Sequence, residues 1–140
     1  WYRQPGLEVV PSMARKVLLI EDNTESFILV NRVLSARGYE VLHAPDGERG
    51  IQLAVEAGPD LILIDIGLPD IDGNTVVALL RQIGELEGVP LVAITAWPPD
   101  IAQDICDRYG FDGLITKPIS VRDFPQQIAS FLGGGPEPAG

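Results

Sequence analysis

Three acids, one hydroxyl and one lysine stand out because each comes directly after a short apolar run. Glu21 and Asp22 follow Val17-Leu18-Leu19-Ile20, Asp65 follows Leu61-Ile62-Leu63-Ile64, Thr95 follows Leu91-Val92-Ala93-Ile94, and Lys117 follows a run ending at Thr116. Carboxylates brought together repel, and each is driven towards its neutral form unless a cation compensates. A hard divalent ion is the natural remedy, since about −3 from the acids is balanced by +2 from the ion and +1 from the lysine. Oxygen-only ligands select magnesium or manganese over zinc, and few protein ligands with room for water and phosphate favour magnesium.

The elements that carry these groups decide whether they meet. Leu61 to Ile64 are four consecutive large apolar residues, which reads as a strand buried on both faces, because a strand with one wet face alternates. Gly67, Pro69 and Asp72-Gly73 then turn the chain away at Asp65. Further strands are expected at 16–20, 39–43, 90–95 and 111–116. Phe27, Val30 and Leu34 recur at helical spacing, with Gly38 as the C-terminal cap. Later helix faces are Ile51, Ala54 and Val55; Val76, Leu79, Leu80 and Ile83; Ile101, Ile105 and Tyr109, entered through Pro98-Pro99-Asp100; and Val121, Phe124, Ile128 and Leu132. Alternating strands and helices predict an α/β fold, a doubly wound, five-stranded parallel sheet of flavodoxin-like order 2-1-3-4-5 with helices on both faces. In that order strands one, three, four and five are neighbours, and their polar ends converge on one crevice. The edge strand contributes nothing to it, and His43 is read as structural or exposed.

A chain of 140 residues with 46% hydrophobic content suits one domain. The expected layout is an N-terminal extension, native or appended, over 1–13, a domain over 14–132, and a flexible Gly/Pro tail over 133–140. The net charge of −10 argues against direct contact with nucleic acid or an anionic membrane, so the expected partner is a protein. The single cysteine, Cys106, excludes an internal disulfide and suits a reducing compartment. No apolar run approaches the roughly 18 residues that span a bilayer, and no secretory signal is evident, so a cytoplasmic protein is expected.

The polar tags, taken together, resemble the response-regulator receiver domains of two-component signalling. The matching pieces are Leu18-Leu19-Ile20-Glu21-Asp22-Asn23, Leu63-Ile64-Asp65-Ile66-Gly67-Leu68-Pro69 with Asp72-Gly73, Ile94-Thr95-Ala96 and Thr116-Lys117-Pro118. Each alone is a weak signal; four in the right order on the right elements are a strong one. The resemblance implies that Asp65 accepts a phosphoryl group from a histidine kinase or phosphotransfer protein. It also implies that Asp22, Asp65 and the Gly67 carbonyl hold Mg²⁺, with Glu21 acting mainly through water, and that Thr95 and Lys117 bind phosphoryl oxygens. Such a module assists its own phosphorylation and dephosphorylation without being an enzyme in the usual sense, and signals through altered protein contacts, a homodimer being compatible with it. It stands alone, relays phosphate, or belongs to a longer regulator.

Bland readings exist for each residue: an N-terminal helix cap for Asp22-Asn23-Thr24-Glu25, a strand-end acid for Asp65, a strand terminator for Thr95, a solvated lysine for Lys117. Two positions depart from the family pattern. Leu114 stands where an aromatic residue usually precedes the lysine by three. Trp97 borders the phosphorylation site, where its bulk is expected either to shield an acyl phosphate or to pack on the fourth helix. Ala96 leaves space beside Thr95, and Lys117-Pro118 is a candidate cis bond. Rival functions are an unphosphorylated pseudo-receiver acting as an interaction module, and an Asp-nucleophile phosphohydrolase, which wants an acid where Gly67 stands. A flavin or nucleotide site lacks the glycine-rich loop after strand one.

Overall fold

The computed structural model describes residues 14–68, 70 and 72–133, so the expectations for the first thirteen residues and for the tail from Gly134 lie outside the described residues. Five strands and five α-helices alternate: β1 (Lys16–Ile20), α1 (Thr24–Ser35), β2 (Glu40–Ala44), α2 (Gly47–Ala57), β3 (Leu61–Asp65), α3 (Gly73–Arg81), β4 (Leu91–Thr95), α4 (Pro99–Tyr109), β5 (Gly113–Thr116) and α5 (Phe124–Phe131), with a single 3₁₀ turn at Gly84–Leu86. All strand pairs are parallel, in the order β2-β1-β3-β4-β5 anticipated from the sequence.

Side chains alternate across the sheet, so each central strand feeds two cores. Val17, Leu19, Leu61, Leu63, Val92 and Ile94 pack with Val30 and Leu34 of α1 and Phe124 and Ile128 of α5. Leu18, Ile20, Ile62 and Ile64 point the other way, onto Ala54 of α2 and Val76, Val77 and Leu80 of α3. Burying one such side chain stabilises the fold by roughly 1.5–3 kcal/mol, and β1 and β3 have no residue to spare for solvent between Val17 and Ile20 or between Leu61 and Ile64.

Several expectations need correction. β2 begins one residue later than anticipated because the Tyr39 N–H bonds back to Leu34 O at the end of α1. β5 is shorter by two residues at its start, since the Phe111 N–H closes α4 on Cys106 O. Gly38 has the expected positive φ, +89°, but sits two residues beyond the C-cap, Ala36. The core face of α4 is Ala102 and Cys106, while Ile101 is exposed and Ile105 and Tyr109 are half-buried. Cys106 packs with Ala93 and Ile66, and the half-buried Ile105 packs against the same cluster, as expected. Val55, Leu79 and Val121 are exposed, the last in the turn before α5, and Ile83 lies past the end of α3.

Helix α2 is seated against the sheet by Gly50. A Cβ there would lie 2.5 Å from Ile20 Cδ1 and 2.9 Å from Ile20 Cγ2, too close for any real contact. Alanine normally favours a helix interior over glycine by about 0.5–1 kcal/mol, but overpacking costs about 1–3 kcal/mol. Gly50→Ala is therefore expected to destabilise the protein by about 1 kcal/mol, read from chemical denaturation, and a gain in stability would contradict this packing.

Candidate functional site

The C-terminal ends of β1, β3, β4 and β5 form one edge, and the sequence-selected polar groups sit on it. At β1 the ladder runs one residue further: the Glu21 N–H donates to Ala44 O at 3.0 Å. The His43 imidazole donates from Nε2 to the Glu21 carbonyl at 2.7 Å, and its ring stacks on Phe27 with centroids 4.4 Å apart. Glu21 is thereby held from the backbone side by two contacts. Capping of α1 falls to Asn23, whose side chain accepts from the Glu25 and Ser26 N–H groups, and not to Asp22. Asp22 is exposed and turned to the acid cluster.

Asp65 ends β3, in register with Ile94 of β4, one residue before Thr95. Its Oδ1 accepts from the Gly67 N–H at 3.0 Å, which fixes the carboxylate against the following turn. Gly67 has no left-handed backbone, and a Cβ there would meet nothing closer than Asp65 Oδ1 at 3.9 Å. The space beside Asp65 is open because residue 67 has no side chain. Glu21, Asp22 and Asp65 each offer an oxygen, all within 4.8 Å of one another.

Glu21 is 0% exposed, and its Oε1 accepts from the ammonium of Lys117, which is 19% exposed. Burial pushes the Glu21 carboxyl up to about 7, with the neighbouring Asp65 adding to the rise and Lys117 opposing it. Its Oε2 is buried with no hydrogen-bond partner among the described residues. Such an atom is costly unless something completes its coordination. An orphaned carboxylate oxygen, two more carboxylates within reach and no nitrogen or sulfur ligand fit a hard divalent cation of the magnesium type.

Thr95 is buried, and its Oγ1 accepts from the Trp97 N–H at 3.1 Å. Thr95 is also in register with Thr116, and the Lys117 N–H donates to Thr95 O at 2.7 Å, so hydroxyl and lysine leave adjacent strand ends. Lys117-Pro118 is cis, as anticipated. Ala96 and Pro118 are exposed. Trp97 is 43% exposed and lines a groove of about 370 Å³ with Ile66, Gly73, Ile105 and Tyr109. Leu114 packs instead with Ile66, Ala93 and Cys106 beneath α4. Two contacts at this edge escaped the sequence reading. His43 supports Glu21, and the Asp70 carboxylate accepts from the Gly47 and Glu48 N–H groups at the start of α2. Neither follows from periodicity, since both depend on which loops the sheet order makes neighbours. Among the described residues no helix is long and apolar enough to cross a membrane.

Comparison with known proteins agrees with this geometry. Residues 17–129 match the response regulator receiver domain family. The polar-differentiation response regulator DivK of Brucella anthropi is 36% identical over 121 residues, which cover 86% of this chain and 98% of DivK. The receiver domain of sensor histidine kinase PA1611 from Pseudomonas aeruginosa, solved with a magnesium ion coordinated in its active site cleft, superposes with a TM-score of 0.78 at 26% identity, covering 86% of this chain and 98% of that one. The chemotaxis response regulator CheY4 of Vibrio cholerae shares the fold with a TM-score of 0.79 at 24% identity, covering 85% of this chain and 99% of that one. With the family match spanning the sheet and all four polar strand ends, the chain belongs to the response regulator receiver domain family of two-component signalling.

Proposed function

We propose that this receiver domain is a phosphorylation-controlled switch in which Asp65 accepts a phosphoryl group from a histidine kinase or phosphotransfer protein. The observation that carries this reading is the cluster of Glu21, Asp22 and Asp65 within 4.8 Å at the strand ends, with Lys117 bonded to Glu21. Asp22, Asp65 and the Gly67 carbonyl, with Glu21 acting through water, would hold magnesium there, and the ion would supply positive charge for the phosphoryl oxygens. The magnesium ion coordinated in the active site cleft of the Pseudomonas aeruginosa receiver supports a magnesium site in this family.

The chain's own residues do the rest. A carboxylate is a weak nucleophile, so transfer depends on alignment and charge neutralisation more than on its basicity. The Gly67 N–H holds Asp65 Oδ1 and so sets the orientation from which the carboxylate attacks phosphorus in line. A new oxygen–phosphorus bond forms as the donor's nitrogen–phosphorus bond breaks, and the donor imidazole keeps the electron pair. Lys117, released from part of its commitment to Glu21, and the Thr95 hydroxyl then face the added phosphoryl oxygens. The dianionic product biases the loops after β3 and β4, and the signal leaves through altered protein contacts.

Incubation with acetyl phosphate and Mg²⁺, followed by intact mass, is expected to show one labile phosphoryl adduct on wild type and none on Asp65→Asn. An unmodified wild type or a normal adduct on Asp65→Asn would overturn the assignment. Trp97, exposed two residues after Thr95 and bonded through its N–H to the Thr95 hydroxyl, is expected to slow hydrolysis of the adduct by excluding water. Trp97→Ala should shorten its lifetime several-fold, and an unchanged lifetime would remove Trp97 from this role.

The raised carboxyl of Glu21 gives a pH signature with a definite sign. Below its ordinary value of 4.5 both folded and unfolded chains carry the proton; between 4.5 and about 7 only the folded one keeps it. The contribution to stability is therefore full at low pH and lost as pH rises through about 7, with a slope of at most about 1.4 kcal/mol per pH unit. Melting in EDTA should show this decline, and saturating MgCl₂ should flatten it. A metal-free protein whose stability rises across that window would contradict the buried state of Glu21.

A further inference from the structure

Asp70 lies on the loop after β3, three residues past Gly67, yet its carboxylate is committed elsewhere. Oδ1 accepts from the Gly47 N–H at 2.8 Å and Oδ2 from the Glu48 N–H at 3.0 Å, both at the start of α2. That helix already has its own cap: Asp46 Oδ1 accepts from the Arg49 N–H at 2.9 Å. A second carboxylate from 22 and 23 residues away is thus a cross-link between two loops as much as a cap. Charge-assisted bonds to backbone N–H groups are roughly twice as strong as neutral ones, and the positive end of the helix dipole favours a carboxylate at this position.

The tether has a specific reach. Three residues span at most about 10 Å even when fully extended, so fixing Asp70 confines Gly67. At the far end of the loop Asp72 caps α3 by accepting from the Thr75 N–H at 2.8 Å, and Gly73 lies against the end of β3, where a Cβ would be 3.2 Å from Ile66 Cα. Helix α2 is itself positioned by Gly50 against Ile20, the residue that precedes Glu21 and Asp22. The chain of contacts therefore runs from the strand that carries two acids, through α2, to the loop that carries the Gly67 carbonyl.

We infer that Asp70 is a positioning residue for the metal centre, strapping the Gly67 loop to α2 so that its carbonyl is held in register with Asp22 and Asp65. This rests on the proposed magnesium-dependent function. Partners that orient metal ligands typically change affinity 10- to 100-fold when removed. Titration of the full chain with MgCl₂ by calorimetry, without a phosphodonor, is the test, with melting in EDTA alongside. Asp70→Ala should raise the magnesium Kd about tenfold, and Asp70→Asn, which keeps one accepting oxygen, should raise it less and serves if the alanine variant fails to fold. Asp46→Ala removes a cap from the same helix without touching the loop; it should lower the melting temperature and leave the Kd within about twofold of wild type. Asp70 variants with wild-type Kd and only a lowered melting temperature would reduce Asp70 to a helix cap. Equal weakening by Asp46→Ala would assign the effect to α2 itself, against the strap. Absence of saturable binding in wild type would overturn the magnesium reading on which the strap rests, a failure distinct from the other two.

Discussion

The constraint on which this structure depends is the crowding of three carboxylates at the mouth of a sheet whose central strands are buried. Glu21 bears most of it. Its side chain has no exposure, one oxygen takes the Lys117 ammonium from 96 residues away, and the other has no hydrogen-bond partner among the described residues. A buried ion pair repays its desolvation only if the remaining lone pairs are also satisfied. Here they are not, and the carboxyl responds by rising to about 7. The protein holds a group in a state that a proton or a cation must complete, as the proposed magnesium-dependent phosphoryl acceptor requires.

The sheet exists, from this standpoint, to make that crowding unavoidable. Parallel registers Ile20 with Ile64, Asp65 with Ile94 and Thr95 with Thr116 bring four strand ends level. None can slip by one residue without moving a core side chain to the opposite face. The apolar runs of β1 and β3, buried on both sides, fix where the acids emerge. On the loop side, Gly67 leaves the space beside Asp65 open, and Asp65, Asp70 and Asp72 are each held by backbone N–H groups.

How much of this was legible in the sequence follows from the same physics. The strands β1, β3 and β4 were readable because an uninterrupted apolar run leaving a polar group behind has few other solutions. The polar ends were readable as a set only because the alternation of elements implied the sheet order. The start of β2 was misplaced because Tyr39, apolar and β-prone, gives its N–H to the end of α1 and not to a neighbouring strand. On α4 the periodic signal comes from the large apolar residues, whereas the buried positions are the small Ala102 and Cys106. His43 and Asp70 carry no local signal at all: their partners, Glu21 O and the start of α2, are distant in sequence and near only through the fold.

The departures at Leu114 and Trp97 belong together. Leu114 is packed with Ile66, Ala93 and Cys106, so the place of the usual aromatic is filled by an aliphatic side chain that supports α4. An aromatic ring is present nearby, on the other side of Thr95. The Trp97 N–H donates to Thr95 Oγ1, and the Trp97 ring borders the groove that also touches Ile66 of the β3–α3 turn and Ile105 and Tyr109 of α4. Any rotation of the Thr95 hydroxyl towards an added phosphoryl group must keep or break that bond, and an N–H left without a partner beside a buried residue is costly. Were Thr95 to turn towards a phosphoryl group, the low-cost route would be for the Trp97 backbone to follow it, carrying its ring along the groove between the β3–α3 turn and α4. In this chain the aromatic ring is thus carried on the threonine's own loop, and under the proposed phosphorylation a shift of Thr95 would reach the groove that Trp97 shares with Ile66, Ile105 and Tyr109.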